Sequence, residues 1–440
     1  MSEYDPSGLM SQIAVTLSGQ LSALETPPSC LVVGFSGGVD SSLLLHSVSR
    51  HPSIPVHAVY IHHGLSQHAD DWQDHCKRFC KVRNIPFTAI EVSVEIRPRV
   101  SLEAAAREAR YNALLDYCKQ HSGVLLLGQH QDDQLETILL ALKRGSGPAG
   151  LAGMPERVVK RGVTVLRPLL NLSREAIERA AKALSLTWIH DESNDDNRFD
   201  RNFLRNAILP GLSKRWPEFS AAAGRSSQLL VEQNTLMDEV VGERLAGITS
   251  EQGYLNTEAL KSYSVPWQRA LCRGWLKRKG LTLPSYTQLN EMLRILDTKD
   301  DAQPVVRTGN YEVRYYRGSL RVCYPLPQAE PTRVKANVWT EVTWWPGRFC
   351  ISLSAHLKED ALCLKPVVES DKIQPENQRA PRSTRKYLKD WGVPAWERNN
   401  VPVLCYEHRP LVIMLRESVI WLERTEGINV VLYNGNPLPP

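Results

Sequence analysis

The run Leu31-Val32-Val33-Gly34-Phe35-Ser36-Gly37-Gly38-Val39-Asp40-Ser41-Ser42-Leu43-Leu44-Leu45 decides the fold. An apolar strand leads into a glycine turn, and the turn opens an apolar helix. The glycines let the backbone approach an anion closely. Amides at the helix N-terminus, with the hydroxyls of Ser36, Ser41 and Ser42, are placed to donate to phosphate oxygens. A kinase-type phosphate loop needs a lysine after its last glycine. Asp40 occupies that neighbourhood here, and an acid beside phosphates has a use where it holds Mg²⁺. The alternative, a glycine turn that merely joins strand to helix, does not account for the whole string in this setting.

Outward from this run, apolar strand-like segments alternate with amphipathic ones as far as about Pro217. The expected strands are 30–35, 56–62, 88–94, 124–129 and 163–168; the expected helices are 42–49, 70–84, 101–121, 134–144 and 174–184. Continuous apolar runs suit strands covered on both faces. The alternation predicts an α/β domain whose parallel sheet carries helices on both faces. Such a sheet binds ligands beyond the carboxyl ends of its strands. Ser101 and Ser173 each precede a helix-favouring run, where a hydroxyl can accept an orphan amide hydrogen bond.

A second acidic segment, His130-Gln131-Asp132-Asp133-Gln134-Leu135-Glu136-Thr137, also follows an apolar strand and so lies at a carboxyl end. Asp133 and Glu136, three apart on a helix start, share one face. Two carboxylates there can bind Mg²⁺ or hold a substrate ammonium. The competing reading is helix N-terminal acids that complement the dipole, worth about 0.3–1 kcal/mol. Asp132 either joins the pair or caps the helix. His62-His63-Gly64-Leu65 ends the second strand at the same edge, where a histidine can contact adenine or ribose. Arg107 and Arg110 share a helix face, which is usually a solvated one.

Composition sets the frame. The chain has 440 residues and 42% hydrophobic content, enough for two to four domains with cores of their own. A formal net charge of +5 is too modest at this length to imply nucleic acid by itself. Nine cysteines without a CxxC pair point to buried reduced thiols in a cytosolic protein, and away from a zinc or iron–sulfur site. Residues 1–12 carry acids and lack the basic start and apolar run of a signal peptide. No apolar run reaches the ~20 residues that span a bilayer, so a cytoplasmic location without membrane contact is expected.

Beyond Pro217 the character changes. Residues 218–296 read as mostly helical, with Leu229, Leu236, Val240 and Val241 as an apolar stripe, and 305–322 alternates like a hairpin. Pro325, Pro327 and Pro331 mark a boundary; 334–364 looks strand-rich and 368–433 mixed. The expected organisation is an α/β domain at 1–217, a mainly helical middle domain at 218–330 and a small α+β C-terminal domain at 331–440. Arg273, Lys277, Arg278 and Lys279 form one basic patch. Arg379-Ala380-Pro381-Arg382-Ser383-Thr384-Arg385-Lys386-Tyr387-Leu388-Lys389-Asp390-Trp391 forms a second, with aromatics interleaved. Such patches are either solvated faces or salt-dependent phosphate contacts.

The Ser-Gly-Gly-Xaa-Asp-Ser string at 36–41 resembles the PP-loop of ATP pyrophosphatases, which have an adenine nucleotide alpha hydrolase-like fold and cleave ATP between its α- and β-phosphates. Further segments narrow the choice. Arg144-Gly145-Ser146-Gly147-Pro148-Ala149-Gly150-Leu151-Ala152-Gly153-Met154 comes first, then Arg167-Pro168-Leu169-Leu170, then Asp191-Glu192-Ser193-Asn194, then Arg201-Asn202-Phe203-Leu204-Arg205-Asn206. In this order they resemble the catalytic domain of the tRNA(Ile)-lysidine synthetase family. The second basic patch and Val393-Pro394-Ala395-Trp396-Glu397-Arg398 resemble that family's C-terminal tRNA-binding domain. The resemblance covers nearly the whole chain and is strongest over 30–217. It departs in one place: after Pro402-Val403-Leu404 the family usually turns through a glycine near the position of Met414-Leu415-Arg416, and here none appears until Gly427.

The resemblance implies a ligase that adenylates the wobble cytidine of the CAU anticodon of tRNA(Ile) and joins L-lysine to it, with release of AMP and pyrophosphate. It assigns catalysis to Asp40, Asp133, Glu136, Arg201 and Arg205. It assigns ATP binding to Ser36, Gly37, Gly38, Val39, Asp40, Ser41, His62, Arg107 and Arg110, and Mg²⁺ to Asp40 and Asp133. Monomer and homodimer both remain open. Three rival readings keep less of the sequence. A tRNA thiolase commonly carries a CxxC pair, absent here. An amidating ligase of the GMP synthetase or asparagine synthetase type needs an ammonia source, and no glutaminase motif or N-terminal cysteine is present. An RNA-binding module without catalysis has no need of the three carboxylates.

Overall fold

The structure, a computed structural model, describes residues 5–49, 53–62, 64, 68–94, 102–298 and 304–432. The chain divides into two compact units, Met1–Met237 and Asp238–Pro440.

The first unit opens with α1 (Ser7–Ser22) and then alternates: β1 (Cys30–Gly34), α2 (Val39–Val48), β2 (Val56–His62), α3 (Ala69–Val82), β3 (Phe87–Glu91), α4 (Leu102–Gln120), β4 (Gly123–Leu126) and α5 (Gln131–Lys143). It continues through α6 (Pro148–Leu151), β5 (Arg157–Lys160), β6 (Val163–Leu166) and α7 (Arg174–Ala183). The sheet runs β3-β2-β1-β4-β6-β5. All pairings are parallel except that of β5 with β6.

Alternation along β1 shows why the strand reads as continuously apolar. Leu31 and Val33 enter a core with residues of α1, α2, α3 and α7, while Cys30 and Val32 enter another with Leu114, Leu115 and Cys118 of α4. Both faces are therefore covered by helices, as expected. The strand order reverses beside β1, with β2 on one side and β4 on the other. A crevice at such a switch point is where open parallel sheets bind ligands.

Several details differ from expectation. β3 and β4 end earlier than the apolar runs suggest, and α5 begins three residues sooner. The edge strand β5 was not expected; its hairpin to β6 turns through Arg161 and Gly162, at φ 50 and 80. Ser173 caps α7, accepting from the Ala176 amide at 3.2 Å. Ser101 and His63 lie outside the described residues.

The unit continues through α8 (Asp200–Phe203), a π-helical turn at Leu204–Ile208, α9 (Leu209–Arg215) and α10 (Phe219–Ala246), which runs on past Met237. The stripe expected on α10 is corrected. Leu229, Leu236 and Val240 are exposed, whereas Val241 is buried with Leu245. Val241 lies about 100–140° around the helix from the other three, so the four never shared a face.

The second unit begins with β7 (Leu255–Asn256), α11 (Thr257–Lys261), α12 (Val265–Arg278) and α13 (Tyr286–Arg294). The expected hairpin is three strands, β8 (Val305–Thr308), β9 (Tyr311–Tyr316) and β10 (Ser319–Cys323), in an antiparallel sheet ordered β7-β10-β9-β8. Trp275, Leu276, Met292, Tyr311 and Val313 fill its core.

The C-terminal part is strand-dominated: β11 (Thr332–Arg333), β12 (Trp339–Val342), β13 (Trp345–Leu353), β14 (Leu362–Pro366), β15 (Lys372–Ile373) and β16 (Arg382–Ser383) precede two short helices, α14 (Thr384–Asp390) and α15 (Ala395–Arg398). The last strands are β17 (Pro402–Tyr406), β18 (Arg409–Met414), β19 (Val419–Trp421) and β20 (Ile428–Leu432). The turn between β17 and β18 uses Glu407 and His408 at φ 47 and 71, conformations that glycine would adopt more cheaply. All nine cysteines are free thiols, six buried and three half-buried. Among the described residues, no helix is long and apolar enough to cross a membrane.

Candidate active site

The loop after β1 is shaped by Gly37. Its φ is +83, and a β-carbon there would fall 2.4 Å from Ile189 Cδ1 and 2.9 Å from Cys76 Sγ. Gly38 precedes α2 in an extended conformation, and no side chain caps the helix. The first-turn amides are thus left for an anion. Ser41 Oγ donates to Gly38 O at 3.0 Å and lies 3.2 Å from Ser36 Oγ. Ser42 is fully buried and bonds Gly37 O, so it holds the turn. Val39 is buried too, and its side chain belongs to the core.

The loop after β4 lies directly against this helix start. A β-carbon on Gly128 would sit 3.0 Å from the Asp40 carbonyl carbon and 3.1 Å from Ser41 N. Two residues on, His130 caps α5: its Nδ1 accepts from the Asp132 amide at 3.3 Å, and its own amide donates to Asp133 Oδ2 at 3.1 Å. Asp132 is therefore not the cap. An accepting Nδ1 leaves the ring proton on Nε2. That atom lies 3.3 Å from Asp133 Oδ2 and 3.7 Å from Asp40 Oδ1, with the ring almost wholly buried.

Arginines complete the cluster. Arg174, at the start of α7, donates from Nη1 to Asp40 Oδ2 at 2.5 Å and from Nε to Glu178 at 2.8 Å. Arg205 bridges the α5 acids, with Nε to Glu136 Oε1 at 2.8 Å and Nη2 to Asp133 Oδ1 at 2.9 Å. Arg201, one turn earlier, donates to Thr137 Oγ1 at 3.3 Å and reaches within 4.0 Å of Glu136 Oε2. Arg205 sits in the π-helical turn, a deformation common at functional sites. The neighbouring Asn206 bonds the Asn194 carbonyl at 2.9 Å and Asn197 at 3.0 Å, which ties the 191–194 and 201–206 segments together.

Burial dominates the electrostatics. It raises the Asp40 carboxyl above its ordinary value against the opposing pull of His130 and Arg174, and the charge of Asp133 adds to the rise. It raises the fully buried Glu136 likewise, against Arg205 and with Asp133. Two buried oxygens, Asp40 Oδ1 and Glu136 Oε2, have no hydrogen-bond partner. An unsatisfied buried acceptor costs about 1–3 kcal/mol, more when charged. Paired orphans of this kind mark a place where a cation or donor belongs.

The other expected residues are placed as follows. His62 ends β2 at the same sheet edge, with Nε2 3.1 Å from Asp70 Oδ1. Arg107, exposed, and Arg110, half-buried, lie in the first half of α4. Three residues of the cluster were missed in the sequence: Gly128, His130 and Arg174. Arg174 did carry a signal, because a cation in the first turn of a helix opposes the dipole and asks for a specific partner.

The comparisons agree with this geometry. A family model for a PP-loop domain matches residues 11–212, one for a TilS substrate binding domain matches 255–321, and one for a TilS substrate C-terminal domain matches 363–415. A tRNA(Ile)-lysidine synthase of Enterobacter sp. is 39% identical over 392 residues, covering 86% of this chain and 90% of the relative. Its counterpart from Vibrio parahaemolyticus is 37% identical over 92% of this chain and 95% of the relative. That of Photorhabdus laumondii is 35% identical over 96% and 97%. With identity sustained over both compact units, the chain belongs to the tRNA(Ile)-lysidine synthase family.

Proposed function

We propose that this chain is an ATP-dependent carbon–nitrogen ligase that converts the wobble cytidine of the CAU anticodon of tRNA(Ile) to lysidine. The reading is supported above all by one observation. Asp40 from the first turn of α2 meets Asp133 and Glu136 from the start of α5, beside an uncapped helix start at the switch point of the sheet. The amides of α2, with Ser36 and Ser41, hold the phosphates of ATP. The oxygen at position two of cytosine attacks the α-phosphorus; the bond to the bridging oxygen breaks and pyrophosphate leaves. The ε-amine of L-lysine then attacks that carbon and AMP departs.

The protein's groups divide the work. Glu136 Oε2, buried and accepting no hydrogen bond, receives the lysine ammonium, and burial raises this carboxyl toward taking the proton that lysine must lose. Arg205 has its fork occupied by Asp133 and Glu136, so it fixes the two carboxylates, while Arg201, held by a single bond to Thr137, is the arginine that would take phosphates of ATP or of the anticodon strand. His62 at the end of β2 and Arg107 and Arg110 on α4 would bind the nucleotide. Asp40 and Asp133 are the residues that would hold Mg²⁺, since Asp40 Oδ1 is a buried acceptor short of a partner. Among the described residues no three His, Cys, Asp or Glu side chains gather into a cage. Mg²⁺ is usually bound by one or two carboxylates together with phosphate oxygens. When bound, Mg²⁺ neutralises charge on the pyrophosphate.

In this reading residues 1–217 carry the chemistry, and 218–330 and 331–440 hold the tRNA. The work is cytoplasmic, where ATP and tRNA meet. The test is pyrophosphate release that requires both L-lysine and tRNA(Ile), with mass spectrometry of the wobble nucleoside. Release of ADP and orthophosphate instead would overturn it.

A further inference from the structure

The second unit encloses a cavity of about 350 Å³ that no step above uses. Its size falls within the range of small-ligand sites, and it is too small to seat a duplex. Its walls combine flat aromatic faces with fixed charge. Arg321 contributes from β10, Tyr254 from just before β7, Trp391 from the end of α14, Glu397 from α15 and Arg416 from the stretch after β18. The Arg321 guanidinium lies over the rings of Tyr254 and Tyr316, at 4.2 and 4.8 Å. Trp391 stacks on Tyr387 with centroids 5.2 Å apart and an angle of 19°, which fixes its plane. Glu397 takes both Nε and Nη2 of Arg416, at 3.1 and 2.9 Å, so that wall is rigid and nearly neutral.

Held aromatic planes beside arginine are the equipment with which proteins bind unstacked bases. The approach is basic: Lys386 and Lys389 are exposed on α14, immediately before Trp391. A free anionic metabolite would be served by the charge alone. The fixed ring planes point to a base as well as a phosphate.

We propose that this cavity receives one unpaired nucleotide of the tRNA substrate, with its base against Trp391 and its phosphate toward Arg321. The proposal rests on the tRNA-modifying reading above and adds a site far in sequence from the chemistry. Two parts of a tRNA offer unpaired nucleotides away from the anticodon, the 3′ terminus and the remaining loops, and the same chemistry serves both.

The test uses the full chain in steady-state lysidine formation. Trp391→Leu is expected to raise the KM for tRNA about tenfold, the effect of losing one base stack, with kcat and the KM for ATP unchanged. Trp391→Phe keeps a flat face against Tyr387 and should stay near wild type. A tRNA shortened by its unpaired 3′ nucleotides distinguishes the sources. If that end is the occupant, shortening raises the wild-type KM and adds nothing in Trp391→Leu; if a loop nucleotide is, the two effects add. Ultraviolet cross-linking should join a tRNA base to Trp391 or Tyr254. An unchanged tRNA KM in Trp391→Leu would overturn the proposal. So would a Phe variant as impaired as the Leu variant, since packing alone would then be responsible. Failure of the wild type to form lysidine at all would sink the parent reading instead.

Discussion

Replacing Arg205 by methionine removes the fork that bridges Asp133 and Glu136 while retaining much of the stem. Glu136 is fully buried, and its bond to Arg205 Nε at 2.8 Å is the charge-assisted contact that satisfies Oε1. Without the arginine, Glu136 has two courses. Staying ionised carries the penalty of breaking a buried pair, about 3–5 kcal/mol. Taking up a proton at pH 7, from an ordinary value of 4.5, costs about 1.4 kcal/mol for each of two and a half pH units, or roughly 3.4 kcal/mol. The cheaper course sets a ceiling of about 3 kcal/mol on the deficit at pH 7, because burial already raises Glu136 in the wild type. The sign of the pH dependence follows. In the variant the folded carboxyl titrates above its unfolded value, so folding takes up a proton. Burial already raises Glu136 in the wild type, so the deficit is absent below that wild-type value and grows by up to about 1.4 kcal/mol per pH unit as pH rises, until the variant's higher value is passed. Urea unfolding of both proteins at pH 5 and pH 7.5 measures it: a small gap at pH 5 and a large one at pH 7.5 are expected. A deficit of the same size at both pH values would refute the argument, because it would place the cost in lost packing.

Asp40→Ala should abolish lysidine formation while the thermal midpoint stays near wild type, since Arg174 keeps its 2.8 Å bond to Glu178; activity in the folded variant would reject a role for Asp40 in holding the metal. Gly128→Ala should cost about 1–3 kcal/mol and raise the KM for ATP, because its β-carbon would press on the backbone of Asp40 and Ser41, which cannot swing aside; wild-type values for both would refute the close approach. His408→Gly should stabilise the chain slightly. The left-handed conformation costs a residue with a β-carbon about 1–2 kcal/mol, partly offset by the roughly 0.5–1 kcal/mol of extra entropy that glycine loses on folding. A lowered thermal midpoint would show that the His408 side chain contributes more than the strain it imposes.

The sheet was legible where local sequence and burial say the same thing. β1 sends alternate residues into two cores, so nothing interrupts its apolar run. β5 was not legible. It is an edge strand with a mostly exposed pattern, and its existence depends on pairing with β6. The stripe on α10 failed for a related reason: a row of leucines shows that a helix has an apolar face, and says nothing of whether another element covers it. The glycine missing near Met414-Leu415-Arg416 is not needed there: β18 turns into β19 through 415–418 at negative φ, with the Leu415 amide donating to the Ser418 carbonyl at 2.8 Å.

In the site, the acids could be read and their partners could not. Strand ends at a switch point announce carboxylates by position alone. Ion pairs form between segments far apart in the chain: Arg174 reaches Asp40 across 134 residues, and Arg205 reaches Glu136 across 69. No spacing rule anticipates such pairs. Yet the arginines and His130 leave the cluster incomplete. The single Nε2 proton of His130 stands between carboxylates at two helix starts, and one oxygen on Asp40 and one on Glu136 accept no hydrogen bond. Beside them, the first amides of α2 lack a capping acceptor. The two shortages are complementary. The helix start lacks an anion and the two carboxylate oxygens lack donors, and a magnesium nucleotide together with an ammonium group supplies both at once.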